Sequence, residues 1–116
     1  MPFVETILFE EDKKKLKIIN KLISKKISQI FNSKYNTITI YNKLIKKKYF
    51  YHNLKLNNTE KRIFIKISGF KRPKTKKKKL AQQIILGLKK IIKVKSPSNI
   101  AVYYYDRSTE DIYHGM

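Results

Sequence analysis

The residue that follows the initiator methionine is proline, and its position is the most chemically suggestive feature of this 116-residue chain. Pro2 has a small side chain, which favours removal of Met1 and leaves a secondary amine flanked by Phe3 and Val4. Apolar surroundings disfavour the protonated amine and a nearby cation does so further, so both lower its pKa toward neutrality. A base with a pKa near the working pH can take a proton from carbon α to a carbonyl and return one elsewhere. Proline at position 2 is also commonplace, so position alone does not establish this role.

The remaining reactive groups narrow the chemistry. Cysteine is absent, which excludes disulfides, thiolate metal sites and thiol catalysis together. His52 and His114 are far apart and lack a visible Asp or Ser partner, so no metal site is expected and both read as structural or surface residues. Asn57-Asn58-Thr59 is a formal glycosylation sequon, without meaning in a cytosolic protein. Lys76-Lys77-Lys78-Lys79 falls near the start of an expected helix, where positive charge opposes the helix dipole. That misfit hints at an anion-binding patch; a solvated lysine run is the simpler account.

The formal charge of +20 is the strongest compositional signal. It would attract nucleic acid, anionic lipid or anionic small molecules without a specific site. The excess is mostly Lys, alongside abundant Ile, Asn, Tyr and Phe, residues that share A/T-rich codons, so codon bias competes as its source. Arginine, favoured for bidentate recognition of phosphates and bases, is scarce.

These groups must be positioned by a small scaffold. The length allows one domain with one modest core, and 41% hydrophobic content suits a globular fold. No stretch approaches the roughly 18 apolar residues of a membrane span. The N-terminus has no secretory pattern, so a cytoplasmic protein is expected. Phe3 to Phe9 reads as a strand. Glu10-Glu11-Asp12 suits a helix start, and Leu16, Ile19, Ile23, Ile27 and Ile30 define an amphipathic helix ending near Phe31-Asn32-Ser33. Thr37 to Tyr41 reads as a second strand. Lys43 to Leu56 holds at most a short edge strand, around Tyr49-Phe50-Tyr51-His52, and residues 57–60 a turn. Arg62 to Ser68 alternates with Ile63, Ile65 and Ile67 on one face, and Gly69 to Thr75 reads as a loop. A second helix carries Leu80, Ile84, Leu88 and Ile91, ends at Ser96-Pro97-Ser98-Asn99, and gives way to a strand from Ile100 to Tyr105 and a polar tail from Asp106.

Strand, helix, strand, and then the same again, is the expected order. A helical crossover suits a parallel strand pair within each half. The expected fold is α/β (α+β): two pseudo-symmetric β-α-β units forming one sheet, with two helices on one face. Apolar residues remain for the other face, so self-association is expected.

In the C-terminal third, the run from Leu80 to Leu88, then Ser96-Pro97, then Tyr104-Tyr105-Asp106 resembles the macrophage migration inhibitory factor family of the tautomerase superfamily in residue type and spacing. Met1-Pro2-Phe3 is similar to the N-termini of that superfamily, and length and element order match over nearly the whole chain, while residues 43–60 show little similarity. The resemblance implies a single domain spanning residues 1–116 and a homotrimer whose three sheets form a central barrel, with active sites at subunit boundaries. It also implies cofactor-independent keto–enol tautomerisation of phenylpyruvate-like α-keto acids. Vertebrate members act as cytokines exported without a signal peptide, so secretion and a host receptor are further expectations.

The same resemblance assigns Pro2 as the catalytic base. Lys34 would hold the substrate carboxylate and stabilise the enolate, although in so lysine-rich a chain a solvated surface charge competes. Phe70 matches a position whose backbone amide contacts substrate, and a packing role for its ring is equally open. Tyr103 replaces a pocket asparagine, Ala101 replaces a pocket tyrosine, and Ile112 matches an apolar pocket position. Ala101 removes a hydroxyl that would bind substrate, so weak, altered or lost activity is one expectation. A secreted signalling protein and a basic nucleic-acid-binding protein are the alternatives; nonspecific polyanion binding follows from the charge in any of them.

Overall fold

The computed structural model describes residues 2–52, 55–56 and 61–107. The expectations placed on Asn57-Asn58-Thr59-Glu60, Ile112 and His114 lie outside these residues. Strand β1 spans Phe3–Phe9, helix α1 Leu16–Phe31, β2 Thr39–Ile45, β3 Tyr51–His52, β4 Lys55–Leu56, β5 Ile63–Phe70, helix α2 Lys74–Ile91 and β6 Ile100–Arg107. The main sheet has the order β2-β1-β5-β6, and β3 and β4 form a separate small hairpin. β1 pairs parallel with β2 and β5 parallel with β6, while β1 and β5 join antiparallel at the centre. The two β-α-β halves are thus related as expected. Among the described residues, no helix is long and apolar enough to cross a membrane.

The period-two pattern of the strands decides which side chains meet the helices. Val4 and Leu8 of β1, Ile63, Ile65 and Ile67 of β5, and Ile100 of β6 are buried. They form one core with Ile19, Ile23, Ile27 and Phe31 of α1 and Leu80, Ile84 and Leu88 of α2. The helices pack closely because Gly87 has no side chain: a Cβ there would lie 2.7 Å from both Leu22 δ-carbons. Asn32 ends α1 in the left-handed conformation at φ 54°, which Asn tolerates better than most residues. One polar thread crosses the layers. Asn42 donates to the buried Thr6 hydroxyl and exchanges side-chain hydrogen bonds of 2.8 and 2.9 Å with Asn20.

The strand ends differ from the sequence expectations where non-local pairing decides them. Residues 35–37 form a 3₁₀ turn closed by Thr37 N to Lys34 O at 3.1 Å, so β2 begins at Thr39, not Thr37. It then continues to Ile45 because β1 offers partners as far as Phe9. The expected loop from Gly69 to Thr75 shrinks to residues 71–73, since Gly69 and Phe70 continue β5 opposite Asp106 and Arg107. Those two residues therefore belong to β6 and not to a tail. Glu10 to Lys15 form a 3₁₀ segment ahead of α1.

That acidic segment is held by lysines, two of them distant in sequence. Asp12, buried in this segment, sits 3.1 Å from the Lys61 ammonium and 3.7 Å from that of Lys15. Glu11 lies 3.2 Å from Lys61 and 3.3 Å from Lys47. Burial opposes the Glu11 carboxylate, but hydrogen bonds and charge from Lys61 and Lys47 outweigh it and hold its pKa below the ordinary value. Stability from this pairing is present above the unfolded glutamate range and is lost as pH falls through the lowered pKa. Burial likewise opposes the Lys61 ammonium, and Asp12 and Glu11 raise its pKa regardless. Its share persists through neutral pH and is lost only as pH rises through that raised value. Asp12→Asn should cost about 2 kcal/mol in chemical denaturation at neutral pH, because a buried carboxylate–ammonium contact is removed while Lys61 keeps Glu11. An unchanged denaturation midpoint would show that the contact adds nothing net.

The sheet face away from the helices is open. It carries Phe3, Tyr41, Tyr103 and Tyr105, all exposed, around the Glu5–Lys66 ion pair at 3.8 Å. Phe9 alone on this side is buried among the β1 aromatics, under an edge-on Phe50 ring 5.1 Å away.

Candidate active site at the start of the first strand

Because β1 runs antiparallel to β5, its first residues lie beside the last residues of β5 and β6. Pro2 enters this edge buried, and its carbonyl accepts a hydrogen bond from Thr39 N at 3.1 Å. Its neighbour across the ladder is Gly69. A Cβ on Gly69 would lie 3.0 Å from the Tyr104 hydroxyl and 3.7 Å from Pro2 Cα. The missing side chain leaves room for that hydroxyl against Gly69, beside Pro2.

Tyr104 is tightly placed. Its hydroxyl donates to Phe70 O at 2.7 Å, and its ring meets Phe31 edge-on with centroids 5.5 Å apart. Lys77 lies 5.6 Å above the ring and also pairs with Asp106 at 3.1 Å. Burial pushes the Tyr104 phenol above its ordinary pKa, against the opposing charge and hydrogen bond of Arg72. The phenol therefore stays protonated at neutral pH, with its proton given to the Phe70 carbonyl.

Two guanidinium groups border the same edge. Arg72 lies 5.1 Å from the Phe31 ring centre, and its Nε is buried with no hydrogen-bond partner among the described residues. Arg107 donates to Ser68 O at 3.3 Å. On the open face beside them, Phe3, Glu5, Lys66, Ser68 and Tyr105 line a shallow depression of about 290 Å³. The edge thus places a buried proline, a protonated phenol and Arg72 on the helix side of the sheet, and Arg107 with an apolar-walled hollow on its open side. Such a set can accept a proton at one point and hold a negatively charged group nearby.

The residues singled out from sequence are only partly gathered here. Pro2 and Phe70 lie at this edge, the Phe70 carbonyl engaged by Tyr104 and its ring partly exposed. Lys34 stands in the connection that delivers Thr39 to Pro2. Its carbonyl accepts from Thr37 N and Oγ1, and its exposed ammonium is unpaired among the described residues. Tyr103 points to the open face, in register with Lys66, so one chain does not bring it to the Pro2 ring. Sequence reasoning missed Tyr104, Arg72, Arg107 and Gly69. The period-two alternation of β6 separates Tyr103 from Tyr104, and scarcity was the one signal that marked the arginines. Gly69→Ala should displace the Tyr104 hydroxyl and lower stability by about 1–2 kcal/mol through overpacking. Loss of the raised tyrosine titration would report the displacement, and an unchanged titration would refute it.

No family model matches the chain, and no curated protein matches it in sequence. Solved structures match it over almost its entire length. A fused 4-OT asymmetric trimer aligns with TM-score 0.82 and 14% identity over 97% of this chain and 92% of that one. A member of the cis-3-chloroacrylic acid dehalogenase family gives TM-score 0.82 and 12% identity over 97% and 79%. The macrophage migration inhibitory factor-like protein of Entamoeba histolytica gives 0.75 and 17% identity over 98% and 95%. At such identities the likeness speaks for architecture alone. The chain has the fold of the tautomerase superfamily.

Proposed function

We propose that this protein is a cofactor-independent keto–enol tautomerase of phenylpyruvate-type α-keto acids, with the Pro2 amine as its base once Met1 is removed. The observation that carries the reading is the convergence of Pro2 with the Tyr104 hydroxyl, Arg72 and Arg107 at one edge of a tautomerase fold. Desolvation and neighbouring guanidinium charge both favour a neutral amine. The neutral nitrogen takes the proton from the carbon next to the keto group. The electron pair left behind forms the enolate, and a proton returns to its oxygen. The substrate carboxylate and the enolate charge are held by the cations of this edge, Arg72 and Arg107, and by Lys34 from the adjoining connection.

The same reading takes the protein as a homotrimer, in line with the fused 4-OT trimer among its structural neighbours. The open face with Phe3, Tyr41, Tyr103 and Tyr105 is then the surface each copy covers on the next. Assembly of that kind is what would bring Tyr103 to a proline, as the sequence resemblance implied. Ala101, in register with Phe64 on this face, supplies no hydroxyl and favours slow turnover. The direct test is an ultraviolet assay of phenylpyruvate tautomerisation on protein with Met1 removed, before and after acylation of its terminal amine. Activity that acylation abolishes supports the reading. Activity that survives acylation excludes Pro2 as base.

A further inference from the structure

The helical layer holds a second concavity with a different chemistry. Along the seam between α1 and α2, Lys26, Gln29, Ile30, Lys76, Lys79 and Gln83 line a groove of about 340 Å³, within the size range of small-ligand sites. Lys26 reaches across the seam toward Gln83 Oε1 at 3.5 Å, a long and weak contact. Neither helix contains an acidic residue. The ion pairs among the described residues instead draw on Glu5, Glu11, Asp12 and Asp106, all outside the helices. Three ammonium groups therefore border one hollow with no helix-borne counter-charge. Lys76 and Lys79 also stand in the first turns of α2, where positive charge opposes the dipole. Such an arrangement is unfavourable for the empty protein and becomes favourable when an anion occupies it.

The chemistry of the lining selects among anions. Both helices lack arginine, and their one aromatic residue, Phe31, is buried in the core. The groove thus offers no guanidinium fork to read bases and no ring to stack them, which disfavours nucleic acid. Lysine ammoniums act as point charges toward phosphate, and the Gln29 and Gln83 amides add neutral donors between them. We infer that this groove binds a compact ligand carrying clustered phosphate groups, held chiefly by Lys26, Lys76 and Lys79. The site is independent of the Pro2 edge and of the reaction proposed there.

Calorimetry of the full chain with inorganic tripolyphosphate, at about 0.15 M salt where diffuse surface attraction is screened, tests this directly. Lys76 and Lys79 are exposed, so their replacement leaves the core intact. The expected result is one tripolyphosphate per chain, weakened about tenfold or more by Lys76→Gln with Lys79→Gln. Lys93→Gln with Lys95→Gln, which removes the same charge beyond the far end of α2, should change it less than about threefold. Vesicles bearing a bisphosphorylated inositol headgroup form the second arm. Capture there with the same variant dependence, without tripolyphosphate binding, assigns the phosphates to lipid; tripolyphosphate binding alone assigns a soluble ligand. Equal losses in both double variants, or no binding in either arm at this salt, overturn the proposal. Competition by single-stranded RNA that ignores the groove variants overturns it as well.

Discussion

Pro2→Gly, in protein with Met1 removed, should lower kcat/KM for phenylpyruvate about a hundredfold or more, the scale at which a positioned general base contributes. Glycine keeps a terminal amine but loses the ring that fixes its nitrogen at the head of β1. The loss should therefore fall mainly on kcat. The pH profile supplies an independent check. A base must be neutral to act, so kcat/KM in the unaltered protein should fall as pH drops through the amine pKa. Burial of Pro2 at the head of β1 disfavours the charged amine and so lowers the pH at which that limb falls. Thermal melting of the variant separates a chemical loss from a folding one. A variant with an unchanged rate and profile would remove the proline from the mechanism.

Ile65→Ala should destabilise the protein by about 3–4 kcal/mol, the upper range for emptying a tightly enclosed site. Ile65 is 0% exposed, and it sits on β5, one of the two inner strands of the sheet. Its side chain belongs to the core cluster shared by the sheet and both helices, where a gap is hard to close. For a domain of this size the loss is a large fraction of total stability, and the melting temperature should fall by roughly 10–20 °C. The comparison is to be made at one protein concentration, since an oligomer melts in a concentration-dependent way. A drop below about 1 kcal/mol would mean that the core collapses around the gap.

The features that rest on local periodicity were legible in the sequence. Ile19, Ile23 and Ile27, and Leu80, Ile84 and Leu88, announced two helices with one apolar stripe each, and the helices bury those stripes. Ile63, Ile65 and Ile67 announced a strand face in the same way. Features that depend on distant partners were not legible. Gly69 looks like a loop residue in isolation, yet it extends β5 because β6 pairs with it and Tyr104 needs the space. The length of β2 depends on β1 and not on its own residues. Asp12 reads as a helix-starting acid in sequence, and its Lys61 partner comes from far along the chain. The candidate site shows the same division. Pro2 stood out by its position, whereas Tyr104 and Arg72 acquire meaning only when three strand ends and the start of α2 meet.

Among the described residues, the two β-α-β halves share a single backbone ladder, β1 against β5 from Phe3–Ser68 to Ile7–Phe64. Each half can form its own parallel pair and helix packing by closing one crossover. Joining the halves closes a longer stretch of chain than either crossover does, so it carries somewhat more entropy loss. Pro2 and Gly69 stand at the outer end of that ladder. The proline edge is therefore lodged at the joint between the halves, and its geometry needs both of them in place.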